Sequence, residues 1–445
     1  MNPSNEFVSW FRSAAPYIRT FSGQTFVIAF DGHMVEEGNF TDLTHDINLL
    51  VSVGVKVVLV HGVRPQIERA VKQQKLKSNF CEGIRITDVE TLSVVKEANG
   101  RLRLEIEALL SMGLPKTPLV GSPIRVTSGN FVMARPRGII NGVDMLYSGE
   151  VRKVRADAIN RRLNDGELVL VAPLGYSATG EIFNLTHEEV ATDVAISIEA
   201  NKLIYLGEES GLKDKKGALI KELTTSFIKK QLINSINEPA QKRIWKNLIK
   251  ASENGVDRIH LVDRKINGGI LLELFTHEGI GTMLSRDPLE KIRAATLEDI
   301  GGILSLIEPL ENQGVLVKRP RETLETEIDK FTVVEHDGLI VGCVALNPFH
   351  KTKNGELACL AVHRDFQNTG VGERLLKTIE TNCASQMFID IFVLTTQSSH
   401  WFMENGFEKT TLSSLPAEKT KLYNYQRNSE IYVKTLKQPL EAPSK

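Results

Sequence analysis

The stretch from Glu356 to Ile379 has the residue types and spacing that suit anion binding. An apolar run, Leu357 to Val362, precedes a segment with Val371, Leu375 and Ile379 at helical spacing. Between them lies Gln-Asn-Thr-Gly-Val-Gly, residues 367–372. Glycines where a strand turns into a helix let backbone amides point at an anion, and the helix dipole adds attraction. The pattern predicts a pyrophosphate site, although it matches neither Walker A nor the dinucleotide fingerprint, and a plain strand–helix turn is the alternative.

The segments that follow narrow the chemistry. A second apolar strand, 387–395, precedes a short helix that stops at Gly406. This order resembles the GNAT acetyltransferase superfamily, in which the Q/R-x-x-G-x-G/A loop binds the pyrophosphate of acetyl-CoA. The resemblance implies acetyl-CoA as co-substrate, bound by Cys359, Leu360, Ala361, Val362, Gln367, Asn368, Thr369, Gly370, Val371, Gly372, Glu373, Phe402 and Asn405.

Acyl transfer to an amine requires a base for the amine, stabilisation of an oxyanion and protonation of the leaving thiolate. Glu356 is the best candidate for the base, directly or through water, and the alternative is a carboxylate at the strand edge with no catalytic role. By the resemblance, the backbone of Cys359 and Leu360 polarises the acetyl carbonyl, and Cys359 is not a nucleophile. Thr395, on the next strand, is the candidate that protonates the thiolate. We therefore expect direct attack without an acetyl-enzyme.

Length and composition limit the class of protein. The chain has 445 residues, which predicts two or three domains. The formal net charge of -1 argues against nucleic acid as a partner and against a polybasic membrane patch. The apolar runs are too short to span a bilayer, and the N-terminus does not resemble a signal peptide. The four cysteines are widely spaced, which predicts reduced thiols in a cytoplasmic protein, and no histidine motif predicts a metal.

From Thr25 the chain alternates short buried strands with helices, which predicts a mostly parallel sheet covered on both faces. An apolar stripe over 5–21 predicts a helix that packs on its own domain or, equally, on another subunit. The charged segment 285–293 is the predicted linker between an α/β domain, residues 1–284, and an α+β domain, residues 294–445. In the second domain, Asp337-Gly338 predicts a hairpin between strands 331–336 and 339–346.

The first domain resembles the amino-acid kinases, which implies a three-layer αβα fold. Residues 61–67, H-G-V-R-P-Q-I, match the family's H-G-G-G-P-Q-I phosphate loop, with Val63 and Arg64 in place of two glycines. Ala29 stands where the family has a lysine for the transferred phosphoryl group, and Glu188 ends the segment that matches N-x-N-A-D. Because phosphoryl transfer depends on cationic stabilisation, we expect no kinase activity.

The segment 269–282 of the same domain resembles the arginine site of arginine-inhibited acetylglutamate kinases. A carboxylate matches the guanidinium fork, so Glu273 is expected to bind L-arginine. The resemblance also implicates Tyr17, His260, Gly279 and Gly281. The alternative is that Glu273 bonds locally and the glycines only end a helix.

An inactive kinase domain ahead of a GNAT domain resembles the bacterial N-acetylglutamate synthases. That family implies L-glutamate as acceptor, L-arginine as inhibitor and a homo-oligomer such as a hexamer. A substrate with two carboxylates requires fixed cations, and arginine grips a carboxylate with two bonds. The candidates for binding glutamate are Lys318, Arg319, Arg427 and Ser429. Rival interpretations are a GNAT enzyme for another small anionic amine, a bifunctional enzyme that also phosphorylates acetylglutamate, and a non-enzymatic arginine sensor.

Overall fold

The computed structural model describes residues 3–112, 124–208, 211–214, 216–232, 238–276, 279–336 and 338–436. The chain divides into two compact units, Met1–Pro288 and Leu289–Lys445. In the described part of the chain, no helix is long and apolar enough to cross a membrane. Each unit has its own sheet and its own apolar clusters.

The first unit is built on an eight-stranded sheet in the order β14-β16-β15-β13-β1-β2-β10-β5, with β16 antiparallel to β15. A second sheet has the order β12-β11-β6-β9, and β3-β4 and β7-β8 are two-stranded. The strands of the unit are β1 Thr25–Phe30, β2 Lys56–His61, β3 Phe80–Cys81, β4 Ile84–Arg85, β5 Val126–Ser128, β6 Val132–Pro136, β7 Ile139–Ile140, β8 Val143–Asp144, β9 Gly149–Val154, β10 Leu168–Val171, β11 Leu174–Tyr176, β12 Ile182–Asn184, β13 Lys202–Gly207, β14 Glu222–Thr224, β15 Arg258–Asp263 and β16 Thr282–Ser285.

Helices and two apolar clusters cover the two faces of this sheet. The helices are α1 Pro3–Phe21, α2 His33–Glu36, α3 Phe40–Ser52, α4 Arg64–Gln73, α5 Val89–Leu110, α6 Ala156–Asn164, α7 His187–Ser197, α8 Thr225–Phe227, a π-helix Ile228–Leu232, α9 Pro239–Glu253 and α10 Gly269–Phe275. The central strands are almost fully buried, which is typical of a parallel sheet between helical layers. The mostly parallel sheet and its two helical layers were predicted from the sequence, and the structure confirms them.

The second unit has one seven-stranded sheet in the order β17-β18-β19-β20-β21-β23-β22. The strands are β17 Glu290–Ala294, β18 Phe331–His336, β19 Leu339–Phe349, β20 Asn354–Val362, β21 Asp390–Thr395, β22 Glu408–Thr410 and β23 Glu430–Thr435. The helices are α11 Ile300–Asn312, α12 Arg321–Glu327, α13 Val371–Ser385, α14 Ser399–Glu404 and α15 Ala417–Lys421, with 3₁₀ turns at Leu297–Asp299, Ile328–Lys330, Arg364–Phe366 and Leu412–Ser414.

The ladder between β18 and β19 confirms the predicted hairpin, although Asp337 lies outside the described residues. The prediction of a linker over 285–293 is wrong in its second half, because β17 already pairs with β18 from Glu290 onward. Charged residues on an edge strand, such as Lys291 and Arg293, misled the composition argument.

Candidate functional site

A β-bulge interrupts the strand that carries Cys359. The pairing of β20 with β19 shifts register between Cys343 and Ala345. Cys359 lies at this shift with φ of 53°, a left-handed backbone that is uncommon for a non-glycine residue. On the other side, β20 pairs with β21 only as far as Leu357, although both strands continue. The backbone of residues 359–362 therefore lies where the strand is bent and its ladder to β21 has ended.

Glu356 lies on β20 just before the bulge and is buried. Its carboxylate accepts a hydrogen bond from Asn347 Nδ2 at 3.2 Å and forms an ion pair with Lys419. Lys419 comes from α15, 63 residues further along the chain, and sequence reasoning did not identify it. The side chain of Glu356 is thus fixed by two polar partners, which fits both the base and the alternative of a strand-edge carboxylate with no catalytic role.

Thr395 ends β21 and is buried. Its hydroxyl oxygen accepts from the backbone amides of Gln397 at 3.4 Å and Ser398 at 3.1 Å. Because both contacts use the oxygen as acceptor, the hydroxyl proton is left to point elsewhere. This geometry suits a hydroxyl that donates, while the same bonds also hold the turn into α14.

The predicted anion loop forms the turn into α13. Asn368 and Gly370 adopt positive φ of 63° and 83°, and Gly370 is the N-cap of this 15-residue helix. Gln367, Asn368 and Thr369 are exposed. The N-terminus of a helix with such a loop presents free N–H groups and a positive dipole end to an anion. The prediction of a strand–loop–helix unit is confirmed, and pyrophosphate binding by its loop stays a prediction.

An arginine that sequence reasoning missed braces this loop. Arg374 donates to the Thr369 carbonyl at 3.1 Å and forms two bonds, of 2.7 and 2.6 Å, with Glu290. Glu290 belongs to β17, 84 residues away in sequence. A bidentate pair of this kind fixes geometry as well as charge, so the loop is held from behind.

Three predicted cofactor residues lie on or beside α14 and the start of α13. Phe402 is 4% exposed and packs against Trp401 and Phe407, which makes it a core residue. The side chain of Asn405 donates to the Trp401 carbonyl at 2.9 Å, and Glu373 accepts from Trp401 Nε1 at 3.2 Å. Local roles therefore account for these side chains, and contact with the cofactor stays a prediction for them.

Two predicted substrate arginines interact electrostatically in the second unit. Burial lowers the pKa of Arg427, and the positive charge of Arg319 lowers it further. Arg427 donates through Nη2 to the carbonyls of Val315 and Gly314, while its buried Nε has no acceptor within the described part of the chain. Two cations held near each other, one with an unpartnered donor, form a site for an anion.

Arg319 is the second arginine of this pair, and its backbone is also fixed. Its backbone amide donates to Glu311 at 2.9 Å. A hydrogen bond with Cys343 lowers the pKa of Cys359, burial opposes this effect, and the charge of Arg319 adds to the lowering. The guanidinium of Arg319 donates to the Val317 carbonyl at 3.4 Å, and Arg427 donates to the Val315 carbonyl, so both predicted glutamate residues contact the segment 315–317. Cys359 itself is 5% exposed.

The remaining predicted substrate residues differ in environment. Ser429 is buried, and its carbonyl accepts from the Tyr423 hydroxyl at 2.8 Å, close in sequence to Arg427. Lys318 is exposed beside Arg319. In the structure, a hydrogen bond fixes the backbone of Ser429, whereas the side chain of Lys318 is exposed to solvent.

In the first unit, the residues expected to exclude phosphoryl transfer lie at the carboxyl ends of β1 and β2. Ala29 is 1% exposed and belongs to an apolar cluster, and Val63 is buried in another. The amide of Gly62 is bonded to the Phe30 carbonyl at 2.6 Å, so it is engaged within the sheet.

The predicted arginine residues surround Glu273 on α10. Its carboxylate accepts from the amides of Ile280 and Gly281, both at 2.8 Å, and bonds His260 Nδ1 at 2.7 Å. Added β-carbons on Gly279 or Gly281 would approach Glu273 or the Leu261 carbonyl to 2.7 and 2.1 Å. Glu273 therefore has the local bonds of the alternative interpretation: Oε2 accepts both amides, and Oε1, which among the described residues bonds only His260, keeps one lone pair for a further donor. Residues 277 and 278 of this segment lie outside the described part of the chain.

The helix that carries Tyr17 packs on the same unit. Phe21 contacts Phe275 of α10, with ring centroids 5.4 Å apart, and Tyr17 lies one turn earlier, 6.0 Å from Phe21. The C-terminal half of α1 thus packs on its own domain, whereas Trp10 and Phe11 are 47% and 51% exposed. Both alternatives for this helix, intrachain packing and an apolar face toward another subunit, therefore have support.

Comparison with known proteins matches both units. Residues 24–263 match the amino acid kinase family, and residues 327–409 match the acetyltransferase (GNAT) domain. The amino-acid acetyltransferase of Ralstonia nicotianae is 47% identical over 431 residues, covering 97% of this chain and 96% of that protein. The amino-acid acetyltransferase of Ectopseudomonas mendocina is 46% identical and is covered in full.

A solved structure gives the same result. The N-acetylglutamate synthase of Neisseria gonorrhoeae, complexed with coenzyme A and L-arginine, has a TM-score of 0.88 and 37% identity. The comparison covers 97% of this chain and 100% of the Neisseria chain. The chain described here, with its kinase-like first unit and its GNAT second unit, belongs to the family of amino-acid acetyltransferases, the N-acetylglutamate synthases.

Proposed function

We propose that this protein transfers the acetyl group of acetyl-CoA to the α-amine of L-glutamate, and that L-arginine inhibits the reaction. The observation that carries the proposal is that Arg319 and Arg427 both donate to backbone carbonyls of the segment 315–317, Arg319 to Val317 and Arg427 to Val315. A cationic pair next to the residues expected to hold an acetyl thioester selects a small acceptor with carboxylates.

The first step is to hold glutamate. Arg427 offers a buried Nε–H without a protein acceptor, and Arg319 supplies a second cation. A dicarboxylate bound between them removes the repulsion between the two guanidiniums, so substrate binding and charge neutralisation coincide. Ser429 is the neighbouring hydroxyl that can complete the grip, and Lys318 adds charge at the rim.

The chemical steps use the bulge and two polar side chains. Glu356, fixed by Asn347 and Lys419, takes the proton of the glutamate ammonium, directly or through a water molecule. The bent backbone at Cys359 and Leu360 stabilises the oxyanion as the amine attacks the acetyl carbon. The carbon–sulfur bond then breaks, and Thr395 donates its proton to the departing thiolate. The loop at 367–372 and the N-terminus of α13 hold the pyrophosphate of the co-substrate.

The first unit regulates and does not phosphorylate. Ala29 and Val63 put buried apolar side chains where phosphoryl transfer needs a cation and open backbone. L-Arginine binds near Glu273, His260, Tyr17 and the glycines at 279 and 281. The exposed Trp10 and Phe11 on α1 support a homo-oligomer, with a hexamer as the expected form, and the free cysteines support a cytoplasmic location.

The test is release of CoA from acetyl-CoA by the purified full chain, with and without L-arginine. Glutamate-dependent release that arginine suppresses is the expected result. Turnover with another amine and none with glutamate would overturn the choice of acceptor. Acetyl-CoA binding without turnover would favour the non-enzymatic sensor, and ATP consumption with acetylglutamate would favour the bifunctional enzyme.

The arginine site has its own test. Glu273→Gln removes the charge that meets a guanidinium, so the arginine concentration needed for half inhibition should rise by about tenfold or more. The control is Asp257→Asn, an exposed acid in the same unit. Equal inhibition of the Glu273 variant and the control would remove Glu273 from the regulatory site.

A further inference from the structure

The first unit contains a cavity of about 460 Å³ that the proposed acetyl transfer and arginine site leave unassigned. It lies at the carboxyl ends of β1, β2 and β13, where Asp31, Val63 and Gly207 contribute to its wall. In open α/β sheets, ligands bind outside the carboxyl ends of the strands. Its apolar wall includes Trp245 and Leu212.

One wall of the cavity presents buried polar atoms with no partner. Arg243, on α9, has a side chain that is 16% exposed. Its Nε and Nη1 atoms are buried and have no protein acceptor among the described residues. The carboxylate of Glu188 is 3.9 Å from Nη2, beyond hydrogen-bonding distance. Thr186 Oγ1, also in the wall, is buried and unpartnered in the same sense. Glu188 offsets the charge of Arg243 but not its hydrogen bonds, and buried donors without an acceptor are costly, so their retention indicates a ligand.

A short hairpin holds further positive charge at this wall. Phe80 and Arg85 lie on β3 and β4, and the guanidinium of Arg85 stands 4.9 Å from the centre of the Phe80 ring. Arg64, at the start of α4, lies 5.0 Å from the same ring centre. The hairpin turn at Gly83 is so near α9 that an added β-carbon would come within 3.3 Å of Arg243 Nη1. Arg85 is paired with Glu68, so Arg64 and Arg243 supply the positive charge at this end of the cavity.

The charge balance selects the anion. Glu188 is buried, and the positive charges of His187, Arg243 and Arg64 outweigh the opposing effect of burial and lower its pKa. It therefore offsets part of the charge of Arg243. The Gly62 amide, bonded to Phe30, is not available to cradle a phosphate. One singly charged carboxylate fits this remaining charge better than a phosphate dianion.

We propose that this cavity binds a small organic monocarboxylate with an apolar body, whose carboxylate is held by Arg243 and Thr186. The apolar body lies against Trp245 and Leu212. This is a second small-molecule site in the first unit, and it does not depend on which amine the second unit acetylates.

The experiment measures binding of isovalerate and phenylacetate to the full chain, by saturation-transfer NMR and titration calorimetry. Isovaleramide and phenylacetamide match the two probes in shape without charge, and phenyl phosphate tests the other anion. The variants are Arg243→Gln and its matched control Lys246→Gln, which removes an exposed charge from the same helix. Arg427→Gln removes a cation of the proposed glutamate site, where a carboxylate could also bind.

The expected result is a dissociation constant that rises by about tenfold or more in Arg243→Gln and stays within twofold in Lys246→Gln and Arg427→Gln. The amides should not bind. Binding lost only in Arg427→Gln would place the probes at the glutamate site and overturn the proposal. Tighter binding of phenyl phosphate would overturn the choice of carboxylate, and no binding of either carboxylate at millimolar concentration would overturn the site.

Thermal unfolding separates a binding role from a structural one. Arg243→Gln removes two buried N–H donors that have no acceptor among the described residues but also the ion-pair partner of Glu188, so the Tm of the unliganded variant should stay close to that of the wild type. A fall in Tm with unchanged carboxylate affinity would show that Arg243 serves only the fold.

Discussion

Arg427 gives the sharpest test of the proposed glutamate site. Its Nη2 atom donates to the carbonyls of Val315 and Gly314. Its buried Nε has no acceptor among the residues that the structure describes. In Arg427→Gln, one charge-assisted hydrogen bond to a substrate carboxylate is lost. Such a bond contributes about 1.5–3 kcal/mol, and each ~1.4 kcal/mol is a factor of ten, so kcat/KM for glutamate should fall by roughly 10- to 150-fold.

The assay is steady-state CoA release with glutamate varied at saturating acetyl-CoA, then with acetyl-CoA varied. The loss should appear in kcat/KM for glutamate, while KM for acetyl-CoA changes little. Arg321→Gln is the control, since this arginine is 68% exposed and pairs with Glu325. Arg427→Lys keeps the charge but not the fork, so its loss should be intermediate.

Substrates that lack one carboxylate identify the partner of Arg427. L-Glutamine removes the side-chain carboxylate, and the α-amide of L-glutamate removes the other. Arg427→Gln should reduce activity least with the analogue that lacks the carboxylate held by Arg427. With that analogue the interaction is already absent in the wild type, so the substitution removes nothing further. An equal additional loss for both analogues, with unchanged KM for glutamate, would refute a direct contact.

Three further predictions concern catalysis, the anion loop and pH. Glu356→Gln should lower kcat about 10²- to 10⁴-fold with KM for acetyl-CoA unchanged. A kcat of the variant equal to that of the wild type at every pH would exclude Glu356 as the base. Gly370→Ala, at φ of 83°, should cost about 1–2 kcal/mol of stability and raise KM for acetyl-CoA, whereas Gly406→Ala, at φ of 84°, should cost similar stability without changing KM. Burial raises the pKa of Asp46 to about 7, so the free energy of unfolding should fall as pH rises from about 4 to 7. Asp46→Asn should remove this pH dependence, as measured by urea titration. At about pH 8 the variant should be more stable than the wild type by on the order of 2–4 kcal/mol.

Local patterns predicted most of the fold. Strand periodicity and the glycines at 370 and 372 identified the strand–loop–helix unit, because turn chemistry and helical spacing are written in adjacent residues. The buried strands of the first unit were equally clear. The predicted linker, residues 285–293, extended into β17, because the charged residues of this edge strand have the composition of a loop.

Contacts between distant residues were not predictable in the same way. Lys419 reaches Glu356 across 63 residues, and Glu290 braces Arg374 across 84. Neither pair has a local signal, since the partners are brought together only by the sheet order. The positive φ of Cys359 was also hidden, because a cysteine gives no sign of a bulge as a glycine would.

In the first unit, the proposed loss of phosphoryl transfer does not require the loss of a binding site. Ala29 and Val63 are buried and apolar, so they remove the cation and the open loop that phosphoryl transfer needs. Arg243 and Thr186 in the cavity wall keep buried polar atoms that no described residue satisfies. A domain retained only as a scaffold gains stability by replacing such groups with apolar ones. Their presence therefore argues that the cavity still binds a ligand after the chemistry has gone.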